Sequence, residues 1–251
     1  MLRLLSLSFL LVLGCSKKRD DANLVLCTNS TYPPYESIDA QGNSVGFDID
    51  VAGAIATQLG KKLVIKEMAF DSLILGLSQD KCDLAMAGLS ITPSRQKEIT
   101  LIPYQGEPSK SYYLLFWEQI PAGIQTAADI QNIGNKTVAV QVGTWMEDFV
   151  KTIPGIEIKA LDATTELIME IKHKKSAASF VEPHIGKDVV QKESRIKFIE
   201  VALAPEDWKL GNGIGIKKSN AKLAAKIELA LSQLKKAGTL ETLEKKWFSK
   251  K

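Results

Sequence analysis

A chain of 251 residues, 45% apolar and 24% charged, has room for one large domain or two lobes of about 100–130 residues each, and this composition excludes a disordered or fibrous chain. Lysine and arginine number 32 against 29 acidic residues, and a net charge of +3 spread along the chain excludes a nucleic-acid backbone footprint. With His173 and His184 as the only histidines and no CxxC pair, neither a zinc site nor a cofactor motif is expected, and each histidine reads as a surface or packing residue.

The chain opens on MLRLLSLSFLLVLGC: a basic residue, Arg3, an apolar run from Leu4 to Leu13, and Gly14 before Cys15. This pattern reads as an export signal over 1–14. Such a run reaches about 15 Å as a helix, half the hydrocarbon thickness, so it does not span a membrane. The ending VLGC resembles a bacterial lipobox, with Leu13 in place of the usual small residue. That resemblance implies lipid on Cys15 and a membrane anchor, followed by a polar tether over 15–23.

From Leu24 onward, short β-rich runs alternate with helical patterns, which predicts an α/β fold with mainly parallel sheets. LVLC at 24–27 is the first strand, and Pro33 and Pro34 impose a turn after it. FDIDVAGAIATQLG at 47–60 reads as a helix: Val51, Ala52, Ile55, Ala56 and Leu59 recur at three and four, acids sit at its start, and Gly60 suits its end. Strand LVIKEM, a helix from Asp71 burying Leu73, Ile74 and Leu77, and strand DLAMAGLS at 83–90 complete one βαβαβ unit. With Cys15 assigned to lipid, Cys27 lies near the end of one strand and Cys82 just before the start of a parallel one. That separation predicts two free, buried thiols.

A second unit begins near Tyr112, with strands YYLLFW, TVAVQV, IEIKA, SAASFV and IKFIEV and helices starting near Trp145, Thr164 and Pro183. The C-terminal stretch reads as strand, turn, long helix with an apolar stripe of Leu223, Ile227, Ala230 and Leu234, a break at Gly238, and a short last helix. GNGIG has the wrong spacing for a nucleotide fingerprint and precedes a strand. In both units strands run through small or polar turns into helix N-termini, the place where α/β sheets bind ligands, and two facing units put these ends around a cleft.

DLAMAGLSITPSRQKEI at 83–99 carries the most chemistry. Ser90, Thr92 and Arg95, held on a rigid Pro93 turn, gather hydroxyls, backbone groups and a guanidinium around one point. Arginine offers two parallel donors that match a carboxylate, which lysine does not.

TYPPYE at 31–36, GFDID at 46–50, LSITPSRQKEI at 89–99, QVGT at 141–144 and the ending GTLETLEKKWF follow in order over nearly the whole chain. Together they resemble the amino-acid-binding solute-binding proteins of polar amino-acid ABC importers, family 3. The resemblance implies a two-lobed periplasmic-binding-protein-like fold, with 24–108 plus 205–251 as one lobe and 109–204 as the other. The lobes are expected to close by hinges at Gly106–Ser109 and Leu203–Asp207. It further implies that Arg95, aided by Ser90 and the backbone of Thr144, holds a ligand α-carboxylate, with the helix start at Trp145 adding its positive end. Gly88 and Glu182 meet the α-ammonium, Glu182 reaching one methylene further than the usual Asp. Tyr32 and Phe70 sandwich the ligand side chain and Trp145 adds a third ring; Ala87 and Gly143 complete the lining. Asn29 stands where members that bind basic amino acids often carry Asp, so Asn29 and Gln141 are expected to accept hydrogen bonds from a guanidinium.

The expected ligand is therefore a free amino acid, arginine before glutamine. The expected partners are the membrane subunits of an ABC importer and, through Cys15, membrane lipid. The chain is read as an extracytoplasmic monomer and not an enzyme, with no cofactor and no nucleic acid. A periplasmic dehydratase acting on prephenate-like substrates is the rival on the same fold, and an adhesin or sensor module is a third reading.

Overall fold

Two five-stranded sheets, each flanked by helices, are what the alternating runs build in the computed structural model, which describes residues 21–106 and 109–248. The first sheet has the order Lys62–Glu67, Asn23–Thr28, Leu84–Ala85, Asn212–Lys217, Ile99–Gln105. The second has the order Glu157–Leu161, Thr137–Gln141, Ala178–Val181, Ser111–Trp117, Ile196–Ala202. In each sheet one strand runs against the others, Asn212–Lys217 in the first and Ser111–Trp117 in the second. The reason is topological. Each of these strands arrives directly from the other sheet, without the crossover helix that a parallel neighbour requires. The chain passes between sheets over 105–111 and again over 202–212. The two passes run side by side, and Ser109 and Lys209 exchange both backbone hydrogen bonds, at 2.9 and 3.2 Å. Of the expected hinge at Gly106–Ser109, residues 107 and 108 lie outside the described residues, as do the expected signal, most of the tether and Cys15.

The helix beginnings expected from sequence are the first residues of Trp145–Lys151, Thr164–Lys172 and Pro183–Lys192. Helix Phe47–Gln58 buries Val51, Ala52, Ile55 and Ala56 against the first sheet and against Ala221–Lys236, whose own Ile227, Ala230 and Leu234 complete that core. The α/β reading stands, with differences in detail. Of DLAMAGLS only Leu84–Ala85 is strand, since the chain leaves the sheet to line the space between lobes. Ile99–Gln105 is a strand that the sequence reading did not name; it contains Pro103, and its place at the sheet edge is where a proline is tolerated. The Pro93 turn is the first turn of a short helix, Pro93–Glu98, capped by Thr92 Oγ1 accepting from the Arg95 N–H. The helix expected from Asp71 starts as a 3-10 turn, Phe70–Ser72, before Leu73–Ser78.

The two thiols are not free: Cys27 and Cys82 form a disulfide with Cα atoms 5.7 Å apart. The expectation failed because it treated Cys82 as an extension of its strand. Asp83 instead bends the chain, donating its N–H to Val25 O at 2.8 Å and accepting the Val25 N–H on Oδ2 at 2.8 Å, which swings Cys82 beneath the neighbouring strand. The bridge lies in a buried cluster with Phe70, Leu73, Leu77 and Ala87, so it braces the wall from which Phe70 and Ala87 face the cleft. Replacing both cysteines with serine should lower stability by roughly 2–4 kcal/mol, as expected for opening a loop of this size, read as the shift in a chemical denaturation midpoint. A reductant should reproduce the shift in the parent and leave the double variant unmoved; a parent indifferent to reductant would show that the bridge does not form.

Candidate ligand-binding site

The strand ends and helix starts of the two sheets face each other across a narrow pocket. From the first lobe come Asn29, Tyr32, Phe70, Ala87, Gly88, Ser90 and Arg95; from the second come Gln141, Thr144, Trp145, Met146 and Glu182. Every residue that the resemblance placed at the ligand is here except Gly143, which contributes its carbonyl to Arg95 from just outside the lining; Thr92, expected beside Ser90 and Arg95, does not line the pocket and spends its hydroxyl on the helix cap. Met146 was missed. It follows Trp145 on the first turn of its helix, and an apolar residue there carries no signal that separates cleft from core.

Arg95 is 7% exposed. One terminal nitrogen donates to Ser90 O at 2.9 Å and the other to Gly143 O at 3.1 Å, so the guanidinium bridges the lobes. Its carbon stands 5.3 Å above the Phe70 ring, which places a cation on the aromatic face expected to carry the ligand. Burial lowers its pKa to about 10, opposed by the nearby Asp148 carboxylate, so it stays charged at neutral pH. Gly143 lies at φ +72° with Asp71 packed against it across the cleft; a Cβ there would come within 2.8 Å of the Asp71 backbone.

Glu182, 8% exposed, occupies the position before Pro183. It caps no helix N–H; its carboxyl turns into the pocket instead. It accepts from Trp145 Nε1 at 2.9 Å, from Ser90 Oγ at 3.2 Å and from the Tyr32 hydroxyl. His184 Nδ1 is 4.0 Å from Glu182, yet burial and Lys187 depress this imidazole to about 4, so it packs as a neutral ring, edge-on to Tyr32 and Tyr35, rather than as an ion partner. Lys209, from the returning interlobe pass, sits 5.0 Å over the Trp145 ring. Among the described residues Arg95 and Glu182 form no ion pair with each other or with any other side chain at conventional charge, so one buried cation and one buried acid are held apart by neutral partners.

At the other end, Asn29 Nδ2 donates to Met68 O at 3.0 Å, and Gln141 Nε2 donates to Asp162 O at 3.1 Å and to Asn29 Oδ1 at 3.4 Å. Carbonyl partners fix which way both amides point. Asn29 Oδ1 in turn accepts from Thr31 Oγ1 at 2.6 Å as well as from Gln141, so of the two amide oxygens the one left without a donor among the described residues is Gln141 Oε1.

Burial without a cation raises Glu182 from 4.5 to about 8. The closed cleft therefore binds a proton that a solvated Glu182 releases, and closure without ligand weakens as pH climbs from about 4.5 to 8. Small-angle scattering of the ligand-free chain should show the radius of gyration growing over that interval, while Glu182→Gln stays compact throughout. A parent whose dimensions ignore pH would contradict the assignment.

The model for bacterial extracellular solute-binding proteins, family 3, matches residues 24–114 and 121–250. A probable ABC transporter arginine-binding protein, ArtJ, of Chlamydia trachomatis is 40% identical over 237 residues, covering 93% of this chain and 90% of the relative. An ancestral arginine-binding protein bound to glutamine superposes with a TM-score of 0.81 at 30% identity, covering 92% of this chain and all of the other. An ancestral amino-acid-binding protein described as a precursor of cyclohexadienyl dehydratase superposes at 0.76 with 26% identity, covering 91% and 96% of the two chains. The matched model takes in both lobes and the cleft between them, and the chain belongs to family 3 of the bacterial extracellular solute-binding proteins.

Proposed function

We propose that this chain captures a free L-amino acid, arginine by preference, outside the cytoplasm and hands it to the membrane subunits of an ABC importer. The observation that carries the reading is Arg95 and Glu182 in one pocket, each desolvated and each satisfied only by neutral groups. A zwitterion supplies both missing counter-charges: its carboxylate pairs with the guanidinium and its ammonium with Glu182, near the Gly88 backbone. Charge-assisted hydrogen bonds of about 1.5–3 kcal/mol each are enough to reach the roughly 8 kcal/mol of a micromolar complex after the entropy lost on closure.

The side-chain end decides which amino acid. The acceptor oxygen of Gln141, joined by that of Asn29 when a ligand donor replaces its long contact from Gln141, favours a ligand that brings donors, a guanidinium above all, and disfavours a carboxylate. Tyr32, Phe70 and Trp145 flank the path between the two ends. The arginine-binding relative supports the same choice. Glutamine is the second reading, since its amide also brings donors and a structural neighbour holds glutamine. We further propose that 24–108 with 205–251 and 109–204 move as the two lobes about the paired passes near Ser109 and Lys209, that the chain is monomeric, and that lipid on Cys15 anchors it, a reading supported by the VLGC resemblance. Binding without turnover fits the site because its one acid, Glu182, is engaged by three donors and assigned to the ammonium; a dehydratase needs a free acid or base over the reacting carbon. Turnover of prephenate or arogenate by the purified chain would reverse this.

A thermal-shift screen of the mature chain against the twenty amino acids tests the proposal. Arginine at a hundredfold its dissociation constant should add about 2.7 kcal/mol of stability. Arg95→Ala should abolish the shift, while Asn29→Asp should strengthen arginine and leave glutamine unimproved. The opposite ranking makes glutamine the ligand, and no shift with any amino acid ends the proposal.

A further inference from the structure

Behind the cleft wall two carboxyl groups lie side by side with no counter-ion. Glu36, in the short strand Glu36–Ile38, and Asp48, in the first turn of helix Phe47–Gln58, are both 0% exposed. Among the described residues neither meets a lysine, arginine or histidine. Asp48 is well supplied with donors: Oδ2 accepts the Gly88 N–H at 2.9 Å and Oδ1 accepts the Tyr104 hydroxyl at 2.5 Å. Glu36 is not, for both its oxygens lack a donor, and its carboxyl adjoins that of Asp48.

We propose that Glu36 and Asp48 share one proton and act together as positioning residues for ligand binding, holding the Ala87–Gly88 peptide in the cleft wall from behind. This rests on the amino-acid-binding reading of the cleft in front of them.

Two adjacent carboxylates buried without a cation are too costly to keep ionised. A proton on Glu36 removes one charge and turns an acceptor with nothing to accept into a donor toward Asp48. Asp48 then receives three hydrogen bonds, from Gly88, Tyr104 and Glu36, each on a different element. The other titratable groups facing the pair are Glu67, from Lys62–Glu67, and Tyr35, whose hydroxyl donates to Gln105 at 3.0 Å. Glu67 is a further negative charge and Tyr35 is neutral, so neither replaces the proton. Burial and the neighbouring Asp48 hold Glu36 well above the ordinary carboxylate range, and burial raises Asp48 only to about 6, which puts the proton on Glu36 at neutral pH.

The grip matters because Gly88 has no side chain to hold it. It sits at φ +56°, and a Cβ there would fall 2.7 Å from the Tyr32 ring, so this part of the wall must be bare backbone. Asp48 fixes the orientation of the Ala87–Gly88 peptide, and both residues line the pocket.

The test uses the full mature chain. Glu36→Gln keeps a donor toward Asp48 but carries no titrating proton. Glu36 in the parent has a native pKa raised above its unfolded value, so its cost grows as pH rises from about 4.5. The melting temperature of Glu36→Gln should therefore match the parent near pH 4.5 and exceed it at pH 8; a variant less stable than the parent at pH 8 overturns the shared proton. In the parent the Gly88 amide resonance should titrate at about 6 with Asp48, and Glu36→Gln, a neutral donor in the same place, should keep that midpoint. An amide indifferent to pH between 4 and 9 also overturns it. For arginine as the probe, Glu36→Gln should keep its affinity within about twofold and Asp48→Asn should lose at least about tenfold, the loss of one charged hydrogen bond. Equal binding by Asp48→Asn and the parent refutes the positioning role. If the parent binds no amino acid, the cleft reading fails by itself, and the melting and resonance measurements still decide the pair.

Discussion

The fold keeps a guanidinium and a carboxyl in one dry pocket without letting them neutralise each other. Left to themselves, Arg95 and Glu182 would form an ion pair. The lobes prevent it by giving each a full set of neutral partners: two carbonyls for Arg95, and two hydroxyls and an indole N–H for Glu182. Ser90 serves both ends, its carbonyl on Arg95 and its hydroxyl on Glu182. The chain meets Asn212 again at Ser90 by a single bridge whose bonds run through Leu89 O and the Ile91 N–H, which leaves the Ser90 carbonyl to the guanidinium.

Rigidity within each lobe and the proposed freedom between them follow from different parts of the chain. The disulfide, the cluster around Phe70 and the Asp48 contact to Gly88 fix the first wall; the Thr144 cap, which accepts the Glu147 N–H while Glu147 accepts the Gly143 N–H, fixes the second. Between them run only the two passes paired at Ser109 and Lys209, a narrow two-strand link suited to bending. Each reversed strand in its sheet marks where the chain enters from this link.

How much of this was legible in the sequence depended on whether a feature is local. Helix starts at Trp145, Thr164 and Pro183 follow from spacing and, at Pro183, from a proline in the first helical position, and the pocket residues follow from motifs that the family keeps in order. Pairing across distance was not legible. The disulfide depends on a bend at Asp83 whose cause is a side-chain bond to Val25, fifty-eight positions away. Strand Ile99–Gln105 went unnamed, and its Pro103 is harmless because this strand is an edge. The polar character of Glu36 and Asp48 suggests surface, or for Asp48 a helix start; only packing shows that both are fully buried.

The two ends of the pocket differ in a way that orders the binding event. Arg95 remains charged even when buried, because a guanidinium lowered to about 10 still holds its proton at neutral pH. Glu182 does not share this permanence, because the same burial moves it to about 8, within the range where it gains or loses a proton. The guanidinium belongs to the first lobe and the carboxyl to the second, so an open cleft presents a fixed cation on one wall and an ordinary ionised carboxylate on the other. On the proposed reading, a ligand carboxylate docks on the first wall without any change of charge state. Closing the second wall then buries Glu182, which is costly as an anion unless an ammonium arrives with it. In that reading the amino acid does more than fill the pocket: its ammonium is what lets the second lobe close with Glu182 charged, and a ligand lacking that group leaves closure dependent on a proton.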